Sequence, residues 1–259
     1  MDNLKKVNLP DAYQTNNIYV PGLARPDRLI EERYAGSRNR EQRLYTDKQV
    51  AALPEIARGH LHYREWLGRK RSSRRLIDYL VFRKKAAAIL EVGCGNGWLS
   101  SRLSGVPGSR VVGLDLNFTE LQQAARVFHG QPNLKFIYGD FFSDVLNGLA
   151  FDVIVFSASI QFFPSLKGVL GAAMQYIRED GEIHILNTPF YRPEELEAAR
   201  QHTAAYYTSL GLPEMADHTF HHCSRDLKNF RARYLYNPDA IWNKIFGKEN
   251  CLPWIVVRK

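Results

Sequence analysis

The sequence predicts an α/β fold built on a doubly wound, mostly parallel sheet. From residue 86 onward, short apolar runs alternate with longer segments whose apolar residues recur at helical spacing. Such alternation is typical of parallel strands joined by right-handed helical crossovers. The first apolar run leads directly into Gly93, Gly95 and Gly97, which predicts a tight turn followed by a helix. A ligand with an anionic or nucleotide-like part is expected at this turn.

Five strands and their connecting helices can be assigned in order. The predicted strands are 88–92, 110–114, 135–138, 151–156 and 182–186. The predicted helices are 98–104, 119–128 and 166–177, and the last of these is followed by a turn at 178–181. A further helix runs from Pro193 to about residue 210, where Gly211 stops it. Two late strands, 230–236 and 254–257, have no full helical crossover between them, which predicts a hairpin-like addition.

The first third of the chain has a different character. Residues 1–40 are polar and interrupted by prolines, which predicts an extended or loosely ordered arm with a short helix at 27–34. Residues 41–85 carry apolar residues at helical spacing. We therefore expect an N-terminal arm and helical cap over residues 1–85. A ligand-binding domain is expected over residues 86–259, with a substrate-side insertion at about 190–228.

Composition excludes several classes of protein. The chain has 259 residues, 45% of them hydrophobic, but no apolar run approaches the roughly 20 residues that a membrane span needs. Its first residues are polar and do not resemble a signal-peptide core. Three scattered cysteines, Cys94, Cys223 and Cys251, do not form a disulfide framework or a cysteine-based zinc site. A cytoplasmic protein without a membrane partner is expected.

The net charge of +8 permits an acidic partner, including nucleic acid. Much of the excess lies in a basic run at residues 69–85. The simpler interpretation of that run is a solvated helix face, and no aromatic residue interleaves residues 69–75 to stack on bases.

The stretch Glu91-Val92-Gly93-Cys94-Gly95-Asn96-Gly97 resembles motif I of class I S-adenosylmethionine (SAM) dependent methyltransferases. The dinucleotide fingerprint G-x-G-x-x-G would need a glycine where Trp98 stands. The resemblance implies that the loop backbone, including Cys94 and Asn96, holds the methionine end of SAM and that Glu91 helps to fix its amino group. It also implies a Rossmann-like sheet of seven strands whose last strand is antiparallel.

Two further motifs follow in the order that the resemblance requires. Asp115 closes the second strand, where an acid can accept hydrogen bonds from two adjacent ribose hydroxyls. The resemblance implies that Leu116 packs on the adenine ring. After the third strand come Gly139, Asp140 and Phe141. There the resemblance implies that the Asp140 side chain meets the adenine amino group and that Phe141 adds an apolar contact.

The segment that begins at Ser157, after the fourth strand, is implied to lie beside the sulfonium and to open toward the methyl acceptor. Within it, Gln161 is neutral, so it can position an acceptor but cannot remove its proton. Candidates for a catalytic base come from the variable segments: His60, His62, His218, His221 and His222. His218 and His222 are four residues apart, but no second ligand pair is evident, and no metal site is expected.

These features predict a SAM-dependent methyltransferase that acts on an O or N atom of a small or medium metabolite and releases S-adenosylhomocysteine (SAH). One alternative is a SAM-binding regulatory protein without turnover, because no base is unambiguous. Another is an RNA or protein methyltransferase, which the basic run would serve. The segment after the fourth strand lacks the Asp-Pro-Pro-Tyr and Asn-Pro-Pro-Tyr patterns of many nucleic-acid N-methyltransferases, and this disfavours a nucleic-acid partner. The sequence does not set the oligomeric state.

Overall fold

The computed structural model of the protein describes residues 14–15, 18–20, 28–84, 87–240, 243 and 252–259. The strands in these residues are β1 (Gln14–Thr15), β2 (Ile18–Tyr19), β3 (Ala88–Val92), β4 (Arg110–Asp115), β5 (Leu134–Tyr138), β6 (Phe151–Ser157), β7 (Ile177–Leu186), β8 (Arg231–Tyr236) and β9 (Trp254–Arg258). The helices are α1 (Arg28–Arg40), α2 (Asp47–Ala52), α3 (Tyr63–Phe82), α4 (Trp98–Ser104), α5 (Phe118–Val127), α6 (Leu166–Tyr176) and α7 (Leu196–Ser209). Cys251 and most of the N-terminal arm lie outside the described residues.

All the described strands belong to one sheet with the order β1-β2-β5-β4-β3-β6-β7-β9-β8. Strands β3, β4, β5, β6 and β7 are parallel to one another, which confirms the predicted doubly wound α/β class. The strand order reverses at β3, with β4 and β5 on one side and β6 and β7 on the other. In open α/β sheets, the crevice at the carboxyl ends of the strands beside such a reversal is where ligands bind.

The two late strands form the predicted antiparallel addition. Strand β9 lies between β7 and β8 and is antiparallel to both, with Trp254 opposite Leu186. The described sheet has nine strands rather than seven, because β1 and β2 extend it at the far edge. There Ile18 pairs with Phe136 of β5 and is 1% exposed, so part of the arm covers an otherwise free strand edge.

One predicted turn is corrected. Residues 178–181 belong to β7, and the register between β6 and β7 shifts between Phe151 and Val153. Strand β7 therefore begins at Ile177 and continues through an irregular stretch. A glycine inside a strand is typical of such irregularities, and Gly181 lies in this one.

Helices cover both faces of the sheet. Successive residues of β3 point to opposite faces: Ile89 packs in a cluster with Leu76 of α3 and Leu99 of α4, and Leu90 packs in another with Val169 of α6. Each of these side chains is at most 1% exposed. Complete burial of a side chain of this size contributes about 1.5–3 kcal/mol to the stability of the fold. These contacts therefore hold β3, and with it the glycine-rich loop that follows its carboxyl end, in place.

The predicted cap and the predicted insertion meet. Helix α1 is longer than the expected helix at 27–34 and continues to Arg40, whose guanidinium donates a 2.7 Å hydrogen bond to the Gly211 carbonyl. The hydroxyl of Tyr206 on α7 donates to the Glu41 carboxylate at 2.8 Å. Gly211 has φ +68°, as expected for the residue that ends the helix predicted from Pro193. Within the described ranges, no helix is both long enough and apolar enough to cross a membrane.

Candidate active site

A cavity of about 300 Å³ lies at the carboxyl ends of β3, β6 and β7. Its size is at the lower end of the range for small-molecule sites. The residues that line it come from the strand ends, from α1 and the residues after it, from α3 and from α7. They are Tyr34, Ser37, Arg38, Glu41, Arg43, Glu65, Trp66, Arg69, Glu91, Gly93, Cys94, Gly95, Asn96, Trp98, Ser157, Ala158, Gln161, Phe162, Asn187 and Tyr207.

The glycine-rich loop after β3 is held to the end of β4. The backbone N–H groups of Gly93 and Cys94 both donate to the Leu114 carbonyl, and that of Gly95 donates to Asp115 Oδ2 at 2.6 Å. Gly97 has φ +72°, and a Cβ built on it would lie 2.8 Å from the Phe136 ring. Only glycine therefore fits at position 97, and this is the packing reason for the third glycine of the motif.

Glu91 lies at the bottom of the cavity and is 2% exposed. Ser100 Oγ donates a hydrogen bond to its Oε2. Burial raises the pKa of Glu91 to about 8, although the hydrogen bond from Ser100 opposes the shift. The carboxyl is therefore mostly protonated at neutral pH when no cation is near, and a cationic ligand group placed beside it would favour the ionised form.

Asp115 lies beside the loop rather than on the cavity surface. Its Oδ1 accepts from the Asn117 N–H at 2.7 Å, and its Oδ2 accepts from the Gly95 N–H. Burial, and after it the charge of Glu120, raise the pKa of Asp115 to about 6. The side chain is thus half-buried next to the loop, at the position where the sequence predicts ribose binding.

The three residues predicted to contact adenine, Leu116, Asp140 and Phe141, differ in how exposed they are. Leu116 is 38% exposed, and Asp140 is exposed and accepts a 2.8 Å hydrogen bond from the Phe142 N–H. Phe141 is 3% exposed, with its ring edge-to-face against Phe156. Within the described residues, none of Leu116, Asp140 and Phe141 lines the cavity, and the ring of Phe141 is a core ring. The exposed neighbour of Phe141, Phe142, lies closer to solvent, with 55% of its surface exposed.

The segment after β6 forms one wall of the cavity. Gln161 Nε2 donates to the Ala158 carbonyl at 2.8 Å, and Gln161 Oε1 accepts from Thr188 Oγ1 at 2.8 Å. Both ends of the amide are occupied, so its orientation is fixed. Ala158 has φ +55°, a backbone conformation that costs a residue with a Cβ about 1–2 kcal/mol. Strain of this kind is concentrated at functional sites.

Asn187 also lines the cavity and is not among the predicted site residues. It follows β7 directly, as Ser157 ends β6, and it also has a positive φ of +58°. Its Nδ2 donates to Ser157 Oγ at 3.0 Å, and its Oδ1 accepts from Ser72 Oγ at 2.7 Å. Its position at a parallel strand end is the sequence signal that could have identified it.

The histidines proposed as bases lie elsewhere. His62 Nε2 hydrogen-bonds the Glu41 carbonyl at 2.7 Å, and His60 Nδ1 accepts from the His62 N–H at 3.1 Å. His221 Nε2 pairs with Thr203 Oγ1 at 2.8 Å. In the described part of the chain, the cavity lining includes none of the five candidate histidines, so of the residues predicted to act on the acceptor only Gln161 reaches the cavity. The described residues also contain no group of three or more histidine, cysteine, aspartate or glutamate side chains placed to hold a metal ion.

The roof of the cavity, formed by Arg38, Arg43, Glu65 and Arg69, is charged. No sequence pattern predicts this cluster. Arg43 and Arg69 both pair with Glu65, at 2.6 and 2.7 Å. Arg38 pairs with Glu120 at 3.2 Å. Burial opposes ionisation of Glu65, but the two arginines outweigh it and lower the pKa of Glu65 to about 2.

The basic run is partly used inside the molecule. Arg69 faces the cavity, Lys70 pairs with Glu55 at 2.7 Å and Arg74 approaches Asp78 at 3.7 Å. Arg83 forms an ion pair with the buried Glu182. These pairs leave a weaker cationic face on α3 than the sequence alone indicates.

Comparison with known proteins agrees with this geometry. Residues 89–181 match the family model of the methyltransferase domain. A malonyl-[acyl-carrier protein] O-methyltransferase of Halalkalibacterium halodurans is 26% identical over 147 residues, which are 53% of this chain and 54% of that protein. A sterol 24-C-methyltransferase of Kluyveromyces lactis is 26% identical over 145 residues, 53% of this chain and 39% of that protein. The chain thus spans about half or less of these curated relatives.

Two solved structures share the fold at low sequence identity. Magnesium protoporphyrin IX methyltransferase from Synechocystis PCC 6803, with bound SAH, has a TM-score of 0.57 at 15% identity, with 90% of this chain and 100% of that chain covered. An O-methyltransferase family protein from Burkholderia thailandensis has a TM-score of 0.54 at 14% identity, with 88% and 70% covered. The family-model match therefore identifies a methyltransferase domain at residues 89–181, and the two solved structures share the fold of the chain.

Proposed function

We propose that the chain transfers a methyl group from SAM to an O or N atom of a small or medium metabolite and releases SAH. One observation carries the proposal: a single cavity joins the glycine-rich loop, Glu91, the segment after β6 and the cap helices α1 and α3. The cofactor and the acceptor would therefore meet in one enclosed space. The relatives' names include both O- and C-methyltransferases, and the O or N acceptor atom is our own proposal.

The residues at the loop fit the cofactor that this family uses. The backbone of residues 93–97 and the carboxyl of Glu91 would hold the methionine end, and the amino group of that end is a cation suited to a buried carboxyl of raised pKa. Asp115 would accept ribose hydroxyls, while Leu116 and Asp140 would meet the adenine at the outer rim. When bound, SAM supplies a methyl group that its sulfonium charge has already activated.

The chain itself would contribute mainly position. Gln161, Asn187 and Ser157 form a hydrogen-bonded wall whose orientation is fixed by internal contacts. Glu65 is held ionised by two arginines, which makes it a weak base. Holding two reactants in line is worth up to roughly 7–11 kcal/mol in favourable cases, so the reaction does not require a strong base from the wall.

Transfer of a labelled methyl group tests the proposal. The protein is incubated with methyl-labelled SAM and an extract of small metabolites, and the labelled products are separated by mass. Label in a small metabolite supports the proposal. SAH binding without label in any fraction would instead support a non-catalytic SAM-binding protein, and label in RNA or protein would support the macromolecular alternative. Asp115→Ala, which weakens the proposed ribose site, is the control that should lose the label.

A further inference from the structure

We propose that Glu120 is a second ribose-binding carboxylate and that it connects the ribose site to the cap helix α1. The proposal rests on the proposed function, because the ligand is the ribose of SAM or SAH. One oxygen of Glu120 accepts a hydrogen bond from Arg38 of the cap, and the other would accept one from a ribose hydroxyl. Binding of the adenosyl group and closure of α1 would then depend on the same carboxylate.

The first observation is a buried oxygen without a donor. Glu120 lies in the first turn of α5 and is 8% exposed. Its Oε1 accepts from Arg38 at 3.2 Å, whereas its Oε2 has no hydrogen-bond partner among the described residues. Leaving a buried carboxyl oxygen without a hydrogen-bond donor is costly. A ligand hydroxyl would supply the missing donor.

The second observation is where this oxygen lies. A Cβ built on Gly95 would be 2.9 Å from Glu120 Oε2, so the oxygen rests against the backbone of the glycine-rich loop. The Gly95 N–H donates to Asp115 Oδ2 at 2.6 Å. Two carboxylates therefore flank one loop residue that itself lines the cavity. A pair of acceptors at such a place suits two adjacent hydroxyl donors, which is the chemistry of a ribose.

The third observation is the link to the cap. Arg38 lines the cavity from α1, and its side chain is 18% exposed. The same end of α1 is held against α7 and the residue that ends it by two hydrogen bonds. Arg40 donates to the Gly211 carbonyl, and Tyr206 donates to the Glu41 carboxylate. Because coupling between two binding events is reciprocal, a closed α1 would strengthen ribose binding by the same factor by which ribose strengthens closure.

Calorimetric titration of the full chain with SAH tests the proposal. Glu120→Ala should weaken SAH binding by about tenfold to a hundredfold, the range for a lost hydrogen bond to a charged group. Glu197→Ala is the matched control, since Glu197 is also an acid in the first turn of a helix, with an arginine 3.8 Å away. It should change the affinity by less than about twofold, as expected for an exposed ion pair.

A ligand change separates ribose recognition from a general effect on the fold. SAH analogues that lack the 2′- or the 3′-hydroxyl should bind the natural protein more weakly. For at least one of the two analogues, the Glu120→Ala variant should bind almost as tightly as the natural protein does, because the hydroxyl that Glu120 would accept from is already missing. If removing either hydroxyl weakens binding by the same factor in Glu120→Ala as in the natural protein, Glu120 does not contact the ribose and the proposal fails.

Arg38→Met tests the link to the cap, because it leaves Glu120 in place. It should weaken SAH binding by about fivefold to tenfold, at the lower end of the usual range of couplings between sites. Tighter binding would mean that Arg38 occupies the ribose position, and it would overturn the proposal.

If Glu120→Ala does not fold, Glu120→Gln keeps the size of the side chain and should still weaken SAH binding several-fold. A natural protein that does not bind SAH would contradict the proposed function, whereas equal binding by both Glu120 variants would contradict this inference alone.

Discussion

The indole of Trp98 meets the indole of Trp66 edge to face, with ring centroids 5.2 Å apart and an interplanar angle of 82°. Trp98 is the first residue of α4 and follows the glycine-rich loop, whereas Trp66 lies on the cap helix α3. Trp66 Nε1 also donates to the Tyr45 hydroxyl at 2.7 Å. The residue that breaks the dinucleotide fingerprint is therefore the one on which the cap packs.

Removing the Trp66 ring should destabilise the whole protein. Trp66 is 3% exposed, and Trp66→Ala is expected to lower the free energy of unfolding by about 3–5 kcal/mol, the usual cost of such a cavity. Trp66→Phe should cost less, because an aromatic ring still packs on Trp98. Urea denaturation measures both. A loss below about 1 kcal/mol for Trp66→Ala would show that the ring contact contributes little.

Gly97 should not tolerate a side chain. Gly97→Ala is expected to lower the free energy of unfolding by about 2–4 kcal/mol, from overpacking against Phe136 and from the left-handed backbone. Gly171→Ala is the control, because Gly171 lies in α6 with no atom within 4 Å of an added Cβ. That change should stabilise the protein by about 0.5–1 kcal/mol. Equal effects of the two substitutions in denaturation experiments would contradict this description of the loop.

The strands were predictable from sequence because they are buried on both faces. Each of the five parallel strands is an apolar run that begins and ends within a few residues of the predicted bounds, apart from β7. Strand β7 begins five residues before the predicted 182, because its irregular stretch contains Arg178 and Gly181, which resemble turn residues in sequence. Local pattern cannot distinguish a bulged strand from a turn followed by a strand.

The roof of the cavity was not predictable in the same way. Arg38 and Glu120 are 82 residues apart, and Arg43 and Glu65 are 22 apart, so no periodicity joins them. The histidines were proposed from residue type alone, and the fold directs His62 and His221 to other partners. Strand ends were the better guide, since Glu91, Ser157 and Gln161 all lie at or just beyond them and line the cavity.

Binding of SAM should release a proton near neutral pH. Burial raises the pKa of Glu91 to about 8, and an ammonium group beside it would favour the ionised form. SAM affinity should therefore rise between pH 6.5 and 7.5, by less than about tenfold per pH unit. For the stability of the fold the sign is opposite: the contribution of protonated Glu91 is present in full below the ordinary pKa of 4.5 and is lost as the pH rises through about 8.

Calorimetry in two buffers of different ionisation enthalpy measures the released proton directly. Glu91→Gln is the control, because it keeps the size of the side chain but cannot ionise. It should bind SAM more weakly, with little dependence on pH over this range. An unchanged pH dependence in Glu91→Gln would assign the proton to another group.

Gln161 should affect turnover more than cofactor affinity. Its amide is held by the Ala158 carbonyl and Thr188 Oγ1, so Gln161→Ala removes a fixed part of the wall beside the proposed acceptor. Because a displacement of about 1 Å can cost a hundredfold in rate, kcat should fall by about tenfold to a hundredfold. The Kd for SAH should change by less than about threefold. A variant with normal kcat would exclude Gln161 as a positioning residue.

A crystal structure of the protein with SAH bound tests the central claim most directly. We expect one SAH molecule with its homocysteine part beside Glu91 and residues 93–97, its ribose hydroxyls at Asp115 and its sulfur directed toward residues 157–161. Density for SAH in a different cavity, or a well-folded crystal soaked at high SAH concentration with this cavity unchanged, would contradict it.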